Sequence, residues 1–172
     1  MDILFHNRYT RDKSVFKEFY MYAFFQRKLI ICAHIILAIE LIWSIVLIFR
    51  LHSLNKFSII GIACVVVLVA YRIISYLSHV NVTSKRDLEM FGQPPEVEFK
   101  ASEVSMCVSA MDEKPIEVKF DNIKKACCTK NLILLFTKAH FVHILKKDAF
   151  VVGDKEGFLE LLKQNGIKIY GK

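Results

Sequence analysis

The chain has 172 residues, of which 54% are hydrophobic, and 24 Lys and Arg against 17 Asp and Glu give it a formal net charge of +7. A soluble domain is about 45 to 50% apolar, so this composition excludes a wholly soluble enzyme. It also excludes a disordered chain, because Phe, Ile, Leu and Val are abundant throughout. The apolar excess is concentrated before residue 78, so location and architecture can be predicted in more detail than activity.

The N-terminal part, residues 1–28, ends in an aromatic-rich amphipathic segment. Apolar or aromatic side chains at positions 16, 19, 20, 23 and 24 share one helical face within residues 14–25. Aromatic rings next to Arg27 and Lys28 are typical of a helix that lies at a membrane interface. Basic and aromatic residues together can also stack on nucleic acid. Adjacency to a long apolar run favours the membrane, and no nucleic-acid partner is expected.

Two apolar segments of 21 residues, 29–49 and 57–77, follow this part. A helix that crosses a bilayer needs about 20 such residues. A cleaved signal peptide does not explain the first segment, because 28 mostly polar and aromatic residues precede it. Only residues 50–56 separate the two segments. The sequence therefore predicts a transmembrane helical hairpin, 29–77, with both outer ends on one side of the membrane.

The distribution of charge predicts which side that is. Residues 1–28 contain six basic and three acidic residues, and Lys85 and Arg86 follow the second segment. The connecting loop offers only Arg50 and Lys56. By the positive-inside rule, both termini are cytoplasmic. We predict a multi-pass protein of the cell (inner) membrane.

Beyond a linker at 78–94, residues 95–172 are predicted to form a cytoplasmic domain. Gln93-Pro94-Pro95 marks its start, and six short segments with β-branched or alternating apolar residues predict antiparallel strands. Asp154 can cap a final helix, which Phe158 and Leu161 make amphipathic and which Asn165-Gly166 ends. The predicted strands are 96–100, 103–109, 116–120, 123–129, 132–137 and 141–145.

Three polar residues inside the apolar segments are candidates for function. Glu40 lies near the middle of the first segment, where a carboxylate is costly. It has either a structural role, neutral or hydrogen-bonded across helices, or a role in handling ions or protons. His34 lies six positions earlier, on a different helical face from Glu40. Arg72 lies five residues from the end of the second segment, from where it can snorkel to the headgroups or, with helix tilt, reach Glu40.

A second set of candidates could contact anionic lipid at the membrane surface. Each such cation contributes on the order of 1 kcal/mol near an anionic leaflet. A solvated face is the alternative, because acidic residues are interspersed and the segment after residue 77 is nearly neutral, with 15 basic and 13 acidic residues. The candidates are Arg27, Lys28, Lys124, Lys125, Lys130, Lys146 and Lys147.

The sequence contains no motif of a known catalytic, cofactor or metal site. The five cysteines show no C-x-x-C spacing, and neither a Walker loop nor H-E-x-x-H occurs. His140 and His143 have no acidic or Cys neighbours with ligand spacing and are expected at the surface. We therefore expect no enzyme activity, no cofactor and no metal.

Several segments resemble the YcxB-like bacterial membrane protein family. The layout of an aromatic-rich start around Tyr9-Thr10, a two-span hairpin, strands and a helix is similar along nearly the whole chain. Phe120 stands where the family usually has Trp, and Lys146 where it usually has Pro. The segments that carry the resemblance are Phe120-Asp121-Asn122-Ile123, Leu132 to Phe136, Ile144 to Phe150 and Phe158 to Leu162.

The resemblance implies a membrane α+β protein whose cytoplasmic domain is pleckstrin-homology-like, an antiparallel β domain closed by a C-terminal helix. Such a domain has seven strands, so Ile3–Arg8 is expected to supply the strand that residues 95–172 lack. The family implies no catalytic residues. The expected function is a membrane-anchored scaffold or regulatory module that recruits a protein partner or forms a homo-oligomer. The alternative is an accessory subunit of a transporter or a small proton-linked channel that uses Glu40.

Overall fold

The computed structural model describes residues 3–26, 28–51, 56–111 and 114–171, without the side chains of residues 26, 28, 29, 51, 57 and 58. The chain forms two compact units. The helical unit is Tyr20–Val82, and the β unit combines Met1–Phe19 with Thr83–Lys172. The helices are α1 Lys13–Met21, α2 Lys28–Leu51, α3 Lys56–Phe91 and α4 Lys155–Gln164, with a π-helical turn at Tyr22–Gln26.

Helices α2 and α3 correspond to the two predicted apolar segments, and both are long and apolar enough to cross a membrane. Their apolar side chains point outward along much of their length, and Phe49 is 75% exposed. Length, composition and this exposure together indicate membrane association.

Helix α3 is longer than the sequence predicted. It runs for 36 residues, about 54 Å, so residues 78–91 of the expected linker are helical. No Gly or Pro interrupts this stretch before Gly92, whose N–H donates to the carbonyl of Leu88 at 2.9 Å and whose φ is 72°. The helix stops there because a left-handed glycine and Pro94 follow, and only a short turn connects it to the first strand of the C-terminal segment.

Two sheets make up most of the β unit. The first contains five antiparallel strands in the order β4-β3-β2-β1-β8, and the second contains four in the order β7-β6-β5-β9. The strands are β1 Phe5–Thr10, β2 Glu96–Ala101, β3 Ser105–Ala110, β4 Ile116–Lys119, β5 Ile123–Cys128, β6 Leu132–Thr137, β7 Val142–Lys146, β8 Phe150–Val152 and β9 Ile169–Tyr170.

The N-terminal strand β1 lies inside the first sheet. It pairs antiparallel with β2 along its whole length and with β8 on its other side. The expected pairing of Ile3–Arg8 with the C-terminal sheet is therefore observed, with the strand shifted to Phe5–Thr10. Asn7 is buried, and its side-chain amide donates to the carbonyl of Lys146 at 2.7 Å. One sheet thus contains strands that precede the helical unit in the sequence and strands that follow it.

The core of the β unit lies around β6, all six of whose residues are buried. Helix α4 begins as predicted, because the Asp154 carboxylate accepts a hydrogen bond from the N–H of Gly157 at 2.6 Å. Its apolar face packs through Phe158, whose ring lies 5.7 Å from the rings of both Phe5 and Phe150. An α+β architecture with a C-terminal helix is confirmed at this level.

Two short strands depart from the predicted antiparallel domain that ends in a helix. Strand β8 was not predicted, and β9 follows α4 and pairs parallel with β5, which makes the second sheet mixed. Gly171 makes this close approach possible, because a Cβ there would lie 2.3 Å from the Cys128 carbonyl oxygen. Strands of two or three residues are too short to produce a periodic pattern in the sequence.

Helix α1 covers only part of the segment predicted to be an interfacial helix. It ends at Met21, and the π-helical turn occupies the rest of residues 14–25. Val15 and Phe16 are buried, and the guanidinium of Arg11 lies 5.8 Å from the centre of the Phe16 ring. The first turns of α1 therefore contribute Val15 and Phe16 to the protein core.

Candidate functional site

Glu40 lies where α2 and α3 approach each other closely. A Cβ on Gly61 of α3 would lie 3.0 Å from the Ser44 hydroxyl oxygen and 3.8 Å from a Glu40 carboxylate oxygen. Ser44 is buried, one turn beyond Glu40 on the same helix. The exposed Glu40 carboxylate thus lies beside the contact between the helices, where Gly61 leaves room for the Ser44 hydroxyl. This geometry allows a hydrogen-bonding role across the hairpin.

Arg72 and His34 lie together, apart from Glu40, on a groove between α2 and α3. The groove has a volume of about 550 Å³ and is mostly apolar. Arg72 donates to the carbonyl of Phe24 in the π-helical turn at 3.4 Å, and the His34 ring lies against Phe25 at 6.0 Å. The lining residues are Phe25, Ala33, His34, Ile36, Leu37, Leu68, Val69, Arg72 and Ile73.

The structure separates Arg72 from Glu40 along the hairpin. Of the α2 residues that line the groove with Arg72, Ala33 precedes Glu40 by seven residues and Leu37 precedes it by three, about 10 and 4.5 Å of helix rise. Among the residues that the structure describes, no ion pair joins Arg72 to a carboxylate. The two residues are therefore candidates for separate roles.

The basic residues predicted to contact lipid do not form one patch. Lys124 and Lys125 lie at the end of β5 that pairs with Thr137, whereas Lys130 follows the other end of that strand. Lys146 and Lys147 lie at the Lys130 end, because Lys146 pairs with Leu132. Five residues of strand, about 17 Å, separate the two groups. Arg27 and the side chain of Lys28 lie outside the described residues.

Three of these lysines have partners within the β unit. The Lys125 ammonium lies 5.1 Å from the centre of the Phe136 ring and 5.8 Å from that of Tyr170. The Lys147 ammonium donates to the carbonyl of Thr129. Lys125 therefore packs on aromatic rings, and Lys147 holds a turn. The third is Lys146, whose ammonium lies 3.8 Å from the Asp148 carboxylate, whereas Lys130 is exposed.

Glu18 on α1 holds the turn between β5 and β6. Its carboxylate accepts hydrogen bonds from the Thr129 hydroxyl at 2.5 Å, the Asn131 backbone N–H at 2.7 Å and the Asn131 side-chain amide at 2.8 Å. Burial alone would raise the pKa of Glu18, but these bonds outweigh it and hold the pKa below its ordinary value. The sequence did not single out Glu18, because its partners lie more than 110 residues away.

A second fixed contact joins the N-terminal segment to the end of α3. The Arg11 guanidinium donates to both Asp87 carboxylate oxygens, at 2.8 and 3.0 Å. The Asp87 side chain is only 10% exposed, so this bidentate pair is well sheltered from water. Asp87 lies in the stretch that was expected to be a linker, which is why its role was missed.

His143 is half-buried, whereas the sequence predicted a surface residue. Its ring meets the Phe99 ring edge to face at 6.4 Å, and burial lowers the pKa of His143 from 6.5. His140 is exposed in the turn before β7, with a φ of 66°. Alternation in strand β7 turns position 143 toward the first sheet, a direction that the short segment alone did not indicate.

Four exposed apolar residues lie at one edge of the first sheet. They are Ile3, Leu4, Val151 and Val152, and we call them the edge patch; Val151 is 64% exposed. Strand β8 is the last strand on this side. Gly153 brings the two segments together, since its φ is 71° and a Cβ there would lie 3.1 Å from the Leu4 carbonyl oxygen.

Within the described ranges, no group of three or more His, Cys, Asp or Glu side chains could hold a metal ion. No family model, no curated protein and no solved structure matches the chain. The candidate sites are therefore the groove, the Glu40 contact and the edge patch.

Proposed function

We propose that the protein is a membrane-anchored binding module of the YcxB-like family. In this proposal α2 and α3 form a multi-pass hairpin in the cell (inner) membrane, and the β unit is a cytoplasmic, pleckstrin-homology-like domain with both chain termini on the same side. The module has no catalytic role and recruits a protein partner at the membrane surface.

One observation supports this proposal most strongly: the β unit is attached to the helical unit twice. The chain crosses between the units at residues 19–20 and again at 82–83, and β1 from the first segment lies between β2 and β8 from the second. Glu18 and the Arg11–Asp87 pair fix the first segment further. This organisation suits a protein whose role is to hold a binding surface at a membrane.

The edge patch is the surface that we propose for the partner. Exposed apolar edges of sheets are sites at which other chains add a strand or pack apolar side chains. We place a photo-reactive amino acid at Val151 in the full-length protein in native membranes, with the same residue at exposed Glu160 on α4 as the control. A discrete protein adduct at position 151 that is absent at 160, and is abolished by Val152→Asp, supports the proposal. Equal adducts at the two positions, or none at 151, contradict it.

A transporter subunit or a small proton-linked channel is the second candidate function. Its support is the position of the Glu40 carboxylate beside Gly61 and Ser44, at the contact between two apolar helices. Proton flux into liposomes that Glu40→Gln removes would favour this candidate. If Glu40 serves assembly instead, Glu40→Gln keeps the oligomer whereas Glu40→Leu weakens it, because only Gln retains the hydrogen-bonding capacity.

A further inference from the structure

We propose that the groove between α2 and α3 is a binding site for one anionic phospholipid. The lipid phosphate contacts Arg72 and His34, and an acyl chain lies against the apolar wall. This inference rests on the proposed insertion of the hairpin into a membrane, and it adds a specific ligand to it.

The charge of Arg72 supplies the first argument. A guanidinium stays protonated and has five N–H donors. The structure shows one donation, to the Phe24 carbonyl at 3.4 Å, and no carboxylate of a described residue pairs with Arg72. The walls around it offer mainly apolar side chains. A phosphate can accept two of the remaining N–H groups at once, which is the geometry that a guanidinium fits best.

The depth of Arg72 along the hairpin supplies the second argument. Several aromatic rings lie at this end of the helical unit. The centre of the Phe25 ring lies 5.9 Å from that of Tyr76, and the centre of the His79 ring lies 5.6 Å from that of Tyr20 and 5.2 Å from that of Phe24. Aromatic residues with polar atoms concentrate at the level of the lipid headgroups. Arg72 lies one helical turn from Tyr76, a depth from which its guanidinium can reach a phosphate group at the headgroup level, while the apolar part of the groove extends away from it.

The apolar wall determines where the lipid lies, and the charge determines which lipid is preferred. Surrounding acyl chains are as apolar as the wall, so transfer of a chain into the groove contributes little selectivity. The volume of about 550 Å³ is in the usual range of small-ligand sites. Selectivity comes from Arg72, and a lipid with net negative charge is preferred over a zwitterionic lipid with the same chains.

A second copy of this chain is the competing occupant, with its Glu40 as the counter-charge. Glu40 lies seven residues beyond Ala33, which lines the groove beside Arg72. In a copy with the same orientation the carboxylate would therefore be displaced along the membrane by about 10 Å, so an ion pair with Arg72 would need tilted helices and extended side chains. The geometry favours the lipid.

Native mass spectrometry of the full-length protein in detergent tests this inference, with equimolar phosphatidylglycerol and phosphatidylethanolamine that carry the same acyl chains. Wild-type protein should retain phosphatidylglycerol preferentially, and Arg72→Gln should reduce the bound fraction about fivefold. Arg50→Gln removes the same charge at the other end of the hairpin and should leave the preference unchanged. Ala33→Phe, which fills the groove and keeps Arg72, should also reduce binding.

Equal lipid preference in wild type, Arg72→Gln and Arg50→Gln overturns the inference. A lipid-free dimer that Arg72→Gln dissociates overturns it too, and assigns the groove to a second copy. Extraction of the membranes with alkaline carbonate separates this failure from failure of the proposed function. If the variants stay in the membrane pellet but bind lipid like wild type, only the lipid site is wrong. If wild-type protein itself is released, the membrane anchor and the lipid site both fail.

Discussion

At the scale of single residues, hydrogen bonds to a few charged side chains attach the N-terminal segment of the β unit to its C-terminal segment. Glu18 accepts three of them from Thr129 and Asn131, and Arg11 donates two to Asp87. Bonds to charged groups are stronger than bonds between neutral groups, and removing one partner leaves the other without compensation. These side chains come from segments that are far apart in the sequence, so no local pattern identified them.

Glu18→Ala should lower the free energy of unfolding of the β unit by about 2 kcal/mol, because it removes three hydrogen bonds to a carboxylate and leaves the Asn131 N–H without its partner. Chemical denaturation of the full chain in detergent measures this change. Glu160→Ala is the control, since Glu160 is exposed and lies 3.8 Å from Lys163. It should cost less than about 0.5 kcal/mol. An equal effect of the two substitutions would show that the Glu18 contact has no special weight.

His143 should make the stability of the β unit depend on pH. Burial holds its pKa below 6.5 in the folded state, so the unfolded chain takes up the proton first as the pH falls. The free energy of unfolding should therefore decrease as the pH falls from about 6.5 toward the pKa of His143 in the folded state. Above pH 6.5, the contribution of His143 to stability should be fully present. Glu18, whose pKa lies below 4.5, does not titrate between pH 7.5 and 5.5.

Denaturation curves at pH 7.5 and 5.5 measure this dependence. His143→Gln should reduce the loss of stability between the two values, whereas His140→Asn should retain it, because His140 is exposed and Asn tolerates its positive φ. If the loss is the same in both variants, the interpretation of His143 is wrong.

At the scale of elements, the sequence predicted the strands and helices whose apolar pattern lies within one segment of the chain. Strands such as 132–137 and the helix after Asp154 carry their own apolar pattern and cap, and they lie where expected. Strands β8 and β9 exist because Gly153 and Gly171 let the chain approach its neighbours, which depends on the tertiary fold. The prediction of a linker at 78–94 differs from the observed helix for a related reason. A polar composition does not end a helix when no Gly or Pro interrupts it before Gly92.

Strand β1 should be essential for the β unit, because it separates β2 from β8 and brings the Asn7 amide to the Lys146 carbonyl. Deleting residues 1–8 should expose two strand edges and make the unit sensitive to limited proteolysis. Arg8→Ala is the matched control: it removes only an exposed ion pair with Glu96 and should leave protease resistance unchanged. Resistance of the deletion variant equal to that of wild type would show that β1 is dispensable.

At the scale of the whole molecule, the charge and the apolar content belong to different parts of the chain. Helices α2 and α3 hold most of the apolar surface, whereas the residues after 77 have nearly balanced charge. The prediction that five lysines of the β unit contact lipid also concerns the domain as a whole. The strand register places Lys124 and Lys125 at one end of the second sheet and the other three at the opposite end, so all five cannot lie on one flat membrane surface through a single end of the domain.

Cysteine labelling tests most directly the proposal that the hairpin crosses the membrane with the β unit on the cytoplasmic side. In a full-length chain whose five cysteines are replaced by Ser, one new cysteine is placed at Asn55 or at exposed Glu160. An impermeant maleimide should label Asn55→Cys in intact cells, and Glu160→Cys only after the membrane is permeabilised. Labelling of Glu160→Cys but not of Asn55→Cys in intact cells would contradict the proposed topology, and equal labelling of both in soluble extract would contradict the membrane anchor itself.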